Sequence, residues 1–344
     1  MSKSIVKGKL AIVAEIAQSY EGNVEVLLAL CEKLGHTGVD GVMFQVVKAD
    51  ELATPENNNY AFFKSLEFSR QELKEVIERI HQHRKAAVAE VFGVDTARLM
   101  AELGINGIKI HPADLANLPF LDFVGRLGLP LIVGVGATYL REIEIALDAI
   151  KRGRPPEIVL MHGYQTCPTP LNQSHLLKIK KLKSVFGLPV GYSDHVPGSL
   201  NGNIASIDPA AYYLPLVAIA LGAVVIEKHV MLNRNKKWED YESAITPEEL
   251  DRFVGRVRAA ELALGDPSLD FNEAEKAYRL TAKKYVIAAR DLPEGHRLRE
   301  EDIGFKRIVS PLEGIVNGQE IVGKSLKKAV KTNEPITFEK LMEL

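Results

Sequence analysis

Two apolar stretches of the sequence each end in ionisable side chains. Residues 191–196 read GYSDHV and contain His195, and residues 224–230 read VVIEKHV and contain Glu227 and His229. Two histidines brought together can bind one divalent metal, with Glu227 as a further ligand or as the group that orients one. The alternative is two unrelated histidines that bond only to the backbone. Because both follow β-like apolar runs and each has a carboxylate beside it, we favour a metal site.

Other apolar runs also end in polar residues that could belong to the same site. The candidates are Glu15, Gln45, Lys109, His111, His162, Gln165, Ser193 and Asp194. Lys109 could bind an anion, or it could form a Schiff base if an apolar pocket lowered its pKa. Glu15 could move a proton or position a water molecule. A divalent metal among these residues would polarise a carbonyl group.

These residues need a scaffold that brings the ends of many strands together. Apolar β-like runs alternate with amphipathic helical stretches, and eight of each precede Gly265. This pattern predicts an α/β fold of the (β/α)8 TIM-barrel type, which carries its sites at the carboxyl ends of the strands. Ser69 and Glu72 have the spacing of a capping box and predict a helix start, whereas residues 49–60 predict an irregular polar loop. No GxGxxG pattern follows the first strand, which disfavours a dinucleotide-binding fold.

The character of the sequence changes after the predicted barrel. We assign residues 1–268 to the barrel domain and residues 269–284 to a charged, helix-prone linker. Residues 285–344 alternate short β-like pieces with polar turns and predict a small β-rich domain. A domain of this size is near the lower limit for independent stability, so we expect it to lean on the barrel or on another subunit.

Composition excludes several classes of partner. The chain has 43 basic and 45 acidic residues, a net charge of −2, which gives no reason to expect binding to nucleic acid or to an anionic membrane. No apolar run has the length of a transmembrane helix. The two cysteines, Cys31 and Cys167, lie far apart, and we interpret Cys167 as a packing residue rather than a nucleophile. A reducing, cytoplasmic location is the expectation.

Several segments together resemble a known family. They are AEIAQSYEGN, GYSDHVPGS, ALGAVVIEKHVML, DYESAITPEEL and the C-terminal RDLPEGHRLREEDIGFKR. The first four resemble the N-acetylneuraminate (sialic acid) synthase family, and the last resembles that family's antifreeze-like (SAF) domain. The resemblance implies an enzyme that condenses phosphoenolpyruvate with the open-chain aldehyde of an N-acylated hexosamine. It also implies a divalent metal cofactor, Mn²⁺ or Mg²⁺.

The resemblance assigns roles by position. It makes His195 and His229 the metal ligands, and it makes Glu15, Glu227 and Asp240 the catalytic residues. Substrate-binding candidates are Gln45, Lys109, Asn117, Gln165, Ser193 and Arg307. The counterpart of Arg307 reaches the sugar site of a neighbouring subunit in the family. We therefore expect a homodimer with exchanged C-terminal domains.

The sequence departs from the family pattern around the expected phosphate. Met43 replaces the lysine of the family's KFQ segment, residues 111–114 replace SGE, and residues 134–137 replace STGM. Residues 163–168 replace CTSxYP, and residues 19–20 replace the NH of the first loop. One lysine and two serines are thus absent, at a cost of a few kcal/mol if nothing compensates.

Lys48, His111 and His162 are possible substitutes for the missing phosphate contacts.

Three hypotheses follow. The first is a sialic-acid-type synthase with a rebuilt anion pocket. The second is a metal-dependent barrel enzyme of another class, performing a different aldol condensation or a hydrolysis. The third is a non-catalytic sugar-binding relative, which the retained histidine pair and Glu15 disfavour.

Overall fold

The structure is a computed structural model that describes residues 10–166, 168–198, 210–309 and 314–342. Cys167, interpreted above as a packing residue, lies outside the described residues. The chain divides into two compact units, Met1–Gly265 and Asp266–Leu344.

The first unit is a closed barrel of eight parallel strands, as predicted, in which each strand pairs with its neighbours in the sequence and β8 pairs with β1. The strands are β1 Ala11–Glu15, β2 Gly41–Val46, β3 Ala86–Val91, β4 Gly107–Ile110, β5 Leu131–Gly134, β6 Ile158–His162, β7 Val190–Asp194 and β8 Ala223–His229. Five of the eight are buried at every position, and β2, β3 and β8 each have a single partly buried residue. Burial on both faces is what a parallel sheet covered by helices requires.

Helices connect and cover the strands. They are α1 Val24–Gly35, α2 Ala49–Leu52, α3 Tyr60–Ser65, α4 Arg70–Gln82, α5 Val94–Glu102, α6 Leu118–Gly125, α7 Leu140–Arg152, α8 Leu177–Phe186, α9 Ala210–Ala220 and α10 Pro247–Leu264. Within the described ranges, none of the helices is long and apolar enough to cross a membrane.

Local signals explain where two helices begin and correct one prediction. The capping box at Ser69 and Glu72 forms as predicted, with each residue's side chain bonded to the other's backbone N–H. The loop predicted over residues 49–60 is wrong at its start, where α2 forms. Buried Ala49 donates its N–H to the Glu67 carboxylate at 2.9 Å, which satisfies one of the free donors at the start of this short helix.

The barrel interior changes from apolar to polar along the strands. Side chains of a strand alternate between its two faces, so every second residue points inward. The inward residues nearest the start of the strands form an apolar cluster of Ala11, Val13, Met43, Val88, Ile132, Val159, Met161 and Val225. The next inward positions toward the carboxyl ends include Glu15, Gln45, Glu90, Lys109 and Glu227. The polar residues therefore rest on an apolar floor.

Side chains of the last barrel helix, α10, hold the start of β1. Arg258 on α10 donates to the Leu10 carbonyl oxygen at 2.8 Å and pairs with Asp40. Asp40 also accepts the Ile12 N–H at 2.7 Å, and Glu261 accepts the Leu10 N–H at 3.1 Å. The start of β1 is thus fastened by side chains that lie about 250 positions later in the chain.

The second unit contains α11 Glu273–Ala282 and an antiparallel pair of strands, β9 Tyr285–Ala288 and β10 Ile303–Lys306. The predicted linker, residues 269–284, includes α11, which buries none of its residues. The small domain has its own apolar core, built from Val286, Ala288, Leu292, Leu298, Ile315, Ile321, Leu326, Val330, Ile336 and Leu341. The predicted β-rich domain is confirmed.

Candidate active site

A cavity of about 160 Å³ opens at the carboxyl ends of the barrel strands. Its lining residues are Glu15, Gln45, Glu90, Lys109, His111, Pro112, Gly134, Met161, Gln165, Ser193, His195, His229 and Asp240. The structure therefore brings nine of the residues named as site candidates to one cavity. They reach it because they occupy inward positions at strand ends or the loops that follow.

His195, Glu227 and His229 form a compact cluster at this cavity. One ligand atom from each lies within 4.8 Å of the others, and the two imidazole rings meet edge to face with centroids 4.8 Å apart. Nδ1 of His195 bonds to the Tyr164 carbonyl oxygen at 2.7 Å, which fixes the ring and directs Nε2 toward Ser193 at 3.2 Å. Two histidines and a carboxylate in this arrangement are a donor set for a divalent metal.

The protonation state and the unsatisfied atoms of these three side chains suit the binding of a metal ion. Burial lowers the pKa of His195 and lowers the pKa of His229 further, so both rings are neutral, the form that binds metals. Nδ1 of His229 and Oε2 of Glu227 are buried and have no hydrogen-bond partner among the described residues. Buried polar atoms of this kind are rare in folded proteins, and a bound cation would satisfy them.

Lys109 lies at the centre of three buried carboxylates. Its Nζ is 2.9 Å from Glu227 Oε1, 3.5 Å from Glu90 Oε1 and 3.7 Å from Glu15 Oε2. Burial opposes the charge on Lys109, but the three carboxylates together raise its pKa above the usual range. The lysine is therefore charged, which disfavours the Schiff-base alternative because that chemistry needs a neutral amine.

Two of these carboxyl groups, Glu15 and Glu227, have pKa values shifted in opposite directions. Burial raises the pKa of Glu15 well above its ordinary value, with Lys109 only partly offsetting it. Burial also opposes ionisation of Glu227, but Lys109 and the Ser193 hydroxyl, which donates to Oε1, hold the pKa of Glu227 below its usual range. A protonatable carboxyl beside an ionised one is an arrangement suited to moving a proton.

Glu90 is a site residue that the sequence reasoning missed. It lies on β3 directly beside Gln45 on β2 and Lys109 on β4, in register with both. Its Oε2 accepts from Gln45 Nε2 at 2.8 Å, and Gln45 Oε1 accepts from Gln18 Nε2 at 2.8 Å. The signal was available, because Glu90 is a lone charged residue at an inward position of an otherwise apolar strand.

Comparison with known proteins decides the family. The profile of the NeuB family matches residues 30–268, more than half of the chain, and the profile of the SAF domain matches residues 283–342. The chain belongs to the NeuB family. The predicted resemblance to sialic acid synthases with a C-terminal SAF domain is therefore confirmed.

Named NeuB-type relatives are similar along most of their length. N,N'-diacetyllegionaminic acid synthase of Campylobacter jejuni is 30% identical over 95% of this chain and 99% of its own. Human N-acetylneuraminate-9-phosphate synthase is 26% identical over 95% and 91%. The crystal structure of N-acetylneuraminic acid synthetase from Leptospira borgpetersenii with citrate has a TM-score of 0.71 and 26% identity, over 80% of this chain and 92% of that one. These likenesses support an enzyme with synthase activity.

Two residues assigned from the NeuB resemblance are not among the described residues that line the cavity. Asn117 precedes α6, and its side-chain oxygen accepts the Phe120 N–H at 3.3 Å as a helix cap. Arg307 is exposed and belongs to the second unit. Asp240, in contrast, reaches the cavity from a loop position with φ of 64°, and its Oδ2 is 3.6 Å from His229 Nδ1.

The three residues proposed to replace the family's phosphate contacts lie in different parts of the barrel domain. Lys48 pairs with Asp95 at 3.0 Å on the surface, outside this cavity. His162 points away from the barrel interior and bonds to the Ser174 carbonyl oxygen at 2.9 Å. His111 does line the cavity, and its Nδ1 accepts the Ala113 N–H at 3.2 Å. Of the three, His111 alone is positioned to contact a ligand there.

Asp194 and Lys228 are the outward neighbours of these site residues. They lie on β7 and β8 and face each other across the strands, with Nζ 3.0 Å from Oδ2 and both side chains inaccessible to solvent. The Tyr192 hydroxyl and the Val196 N–H also donate to Asp194. This pair belongs to the packing between the barrel and its helices rather than to the cavity.

Proposed function

We propose that this NeuB-family protein is a nonulosonate-type synthase that joins a three-carbon enol donor to the open-chain aldehyde of an N-acylated hexosamine. In the reaction that the family resemblance implies, the donor is phosphoenolpyruvate and the cofactor is Mn²⁺ or Mg²⁺. The cluster of His195, Glu227 and His229 at the cavity carries the proposal. Its buried, unpartnered donor atoms beside a lysine and several carboxylates suit metal-dependent carbonyl chemistry.

Each residue has a role that its surroundings support. His195, His229 and Glu227 would bind the divalent ion, which would polarise a carbonyl oxygen. Lys109, charged and facing the cavity, would bind the donor's carboxylate. The raised pKa of Glu15 lets this carboxyl group hold a proton at higher pH than an ordinary glutamate, so that it could deliver one. Ser193 orients Glu227 through its hydroxyl.

One observation favours a second candidate, a metal-dependent aldol or hydrolytic reaction of another class. Three positions that bind phosphate in the family pattern have no side-chain hydrogen-bond donor for a phosphate in this protein. Met43 is buried in the apolar floor, and Pro112 and Gly134 line the cavity without a side-chain donor. The two latter residues pack closely, since a Cβ on Gly134 would lie 2.7 Å from Pro112 Cδ.

A direct assay tests the proposed function. The full-length protein loaded with Mn²⁺ is incubated with phosphoenolpyruvate or pyruvate and a panel of N-acyl hexosamines. We expect a condensation product by mass spectrometry with at least one acceptor, and no product from the His195→Ala variant. Absence of any product from metal-loaded, folded wild-type protein with every donor and acceptor would contradict the proposal. Release of a sugar or an acyl group instead would favour the hydrolytic alternative.

A further inference from the structure

Within the described residues, a second group of metal-ligating side chains lies on the helices that cover the barrel. Glu32, His36 and His83 each offer one ligand atom, and these atoms lie within 4.8 Å of one another. Nε2 of His36 is 3.2 Å from Oε1 of Glu32, and Nε2 of His83 is 3.1 Å from Oε2 of the same carboxylate. Two ring nitrogens from different helix ends therefore converge on one carboxylate group.

The ends of two helices bring these three residues together. Glu32 and His36 are four positions apart and so lie on one face of α1, whereas His83 directly follows α4. Each of these helix ends leads into the next strand, so the group lies near the amino ends of β2 and β3. The cavity with His195 and His229 is at the carboxyl ends of the strands. The two groups of ligands are thus at opposite ends of the barrel.

Contacts around the group hold His83 in place. Lys85 Nζ donates to the carbonyl oxygens of Thr37 at 2.8 Å and Val39 at 2.9 Å, which ties the segment after α1 to the segment after α4. The His83 ring lies directly on Gly35, where a Cβ atom would be 2.2 Å from the ring's Cγ. Glycine at position 35 therefore leaves room for this ring. Because the ring is positioned before an ion arrives, less ordering is needed on binding.

Two imidazole nitrogens and a carboxylate oxygen suit Zn²⁺ and related transition metals. In a tetrahedral Zn²⁺ site with bonds of about 2.0–2.1 Å, ligand atoms lie roughly 3.3 Å apart. The two nitrogen–oxygen distances of 3.2 Å and 3.1 Å already match that spacing. The His36 side chain is 71% exposed, so it can move toward an ion, and water can supply a fourth ligand. Such ligands bind Mn²⁺ more weakly than Zn²⁺.

Two features of the group compete with an ion. His36 and His83 are each within hydrogen-bonding distance of Glu32, and Arg79 lies 3.5 Å from Oε2 of Glu32. The first is overcome when the ion replaces the ring protons that face the carboxylate, since metal binding releases protons. The second is reduced because Arg79 also lies 3.8 Å from Glu75, which remains its partner when the ion takes Oε2.

We propose that Glu32, His36 and His83 form a binding site for Zn²⁺ or a similar transition-metal ion, which links the end of α1 to the end of α4. The ion stabilises the native chain, because the unfolded chain does not hold the three ligands together. The site is separate from the proposed catalytic metal centre, and it does not depend on the proposed function.

Zinc titration of the untagged, full-length protein tests the site. The variant His195→Ala/His229→Ala lacks the proposed catalytic ligands, and calorimetry should show one Zn²⁺ bound per chain. Adding His83→Gln should lower that affinity at least about 100-fold, since even groups that only orient a ligand contribute 10–100-fold. Adding His81→Gln instead should leave it unchanged, because His81 is near the same helix end but bonds to Asn106 at 2.7 Å. No binding by the folded parent variant would overturn the proposal, as would equal affinity with His83→Gln.

Single variants give a readout that does not require the double variant to fold. After dialysis against Zn²⁺ and removal of the free ion, His83→Gln should retain one Zn²⁺ fewer per chain than wild type by elemental analysis. Gly35→Ala keeps all three ligands but displaces the His83 ring, so it should lose the same ion. Zn²⁺ should also raise the Tm of His83→Gln less than that of wild type. Equal Zn²⁺ content and equal Tm increases would overturn the proposal and leave the three side chains as a hydrogen-bonded group.

Discussion

Two buried lysines of the barrel occur in contrasting surroundings. Lys228 points outward from β8 and meets one carboxylate, Asp194, with neither side chain accessible to solvent. Lys109 points inward from β4 and meets three carboxylates, Glu15, Glu90 and Glu227, at the edge of a cavity. The first group is balanced in charge, whereas the second has excess negative charge.

This difference in charge balance distinguishes a pair that stabilises the fold from a group that can bind a ligand. A buried pair of equal and opposite charges, completed by hydrogen bonds, needs nothing from outside the chain. A buried group with excess carboxylate oxygens and unpartnered donor atoms is incomplete in the chain alone, and a cation or substrate completes it. Adjacent residues of one strand, Glu227 and Lys228, therefore belong to different parts of the molecule because they point to opposite faces.

The largest effect should follow from breaking the balanced pair. Lys228→Met leaves the Asp194 carboxylate buried and unpaired, so the free energy of unfolding should fall by about 3–5 kcal/mol. Chemical denaturation of the metal-free protein measures it. The double variant Lys228→Met/Asp194→Leu serves as the control and should regain most of the loss. If Lys228→Met is as stable as wild type, the pair does not have the structural role given to it here.

His229, the next residue on β8, should affect metal binding rather than stability. His229→Ala removes a proposed metal ligand, so Mn²⁺ affinity should fall more than about 100-fold, since even groups that only orient a ligand contribute 10–100-fold. Stability of the metal-free protein should change little by comparison. His195→Ala should behave alike, and His162→Gln, which faces outward, should bind metal as wild type does. Full metal occupancy in His195→Ala or His229→Ala would exclude a shared site.

The incomplete group should control substrate affinity. Lys109→Met removes the cation that would bind the donor's carboxylate, so KM for the donor should rise about 10–100-fold, in line with the 1.5–3 kcal/mol of a charged hydrogen bond. Lys48→Met, at a surface pair with Asp95, should change KM far less. Steady-state kinetics of the two variants decide this. A larger effect of Lys48→Met would mean that the donor binds at the second loop.

The same comparison extends to pH. Burial lowers the pKa of the outward-facing His162, so the unfolded chain binds this proton at a higher pH than the native state. The stability it contributes is present above the unfolded-state pKa, about 6.5, and is lost as pH falls below that value. Metal-free wild type should lose stability between pH 7.5 and 5.5, and His162→Gln should lose less, by at most about 1.4 kcal/mol per pH unit. Equal pH profiles would refute this.

The smallest effect concerns a residue outside both groups. We propose a homodimer in which Arg307 of one subunit completes the cavity of the other. Mixed under subunit exchange, inactive Arg307→Ala and His195→Ala proteins should then regain about a quarter of wild-type sites at most, as expected for random pairing in a symmetric dimer. Activity of the mixture measures it. No recovery despite proven exchange would show that Arg307 acts within its own subunit or not at all.

The barrel and most of its site could be predicted because strand periodicity is written directly in the sequence. Inward parity explains why Lys109, Ser193, His195 and His229 meet although they are distant in the chain. The same rule explains the failures. The site candidates include His162, which faces outward beside the inward-facing Met161, and they omit Glu90, whose place in the site depends on its pairing with Gln45 and Lys109 on neighbouring strands.

The sequence does not predict which hydrogen bonds a polar side chain makes or which charge state a buried group adopts. Asn117 is a typical binding residue by type, but its oxygen caps α6, and the sequence does not reveal which of several local donors it accepts from. The charge state of Lys109 depends on three carboxylates from three other strands, so it becomes visible only when the barrel is closed. The small domain was predictable as a unit but not in its strand pairing, because its β pieces are short.

The seam between β1 and α10 has a consequence for the synthesis of this protein. The first strand leaves the ribosome early, but Arg258, which bonds to Leu10, follows 248 positions later. One edge of β1 pairs early with β2, the other edge stays open until β8 is made, and at about 5–20 residues per second Leu10 waits roughly 12–50 s for Arg258. Nascent chains that have not yet reached Arg258 are therefore the species most exposed to aggregation, and they are natural clients for chaperones that act during translation.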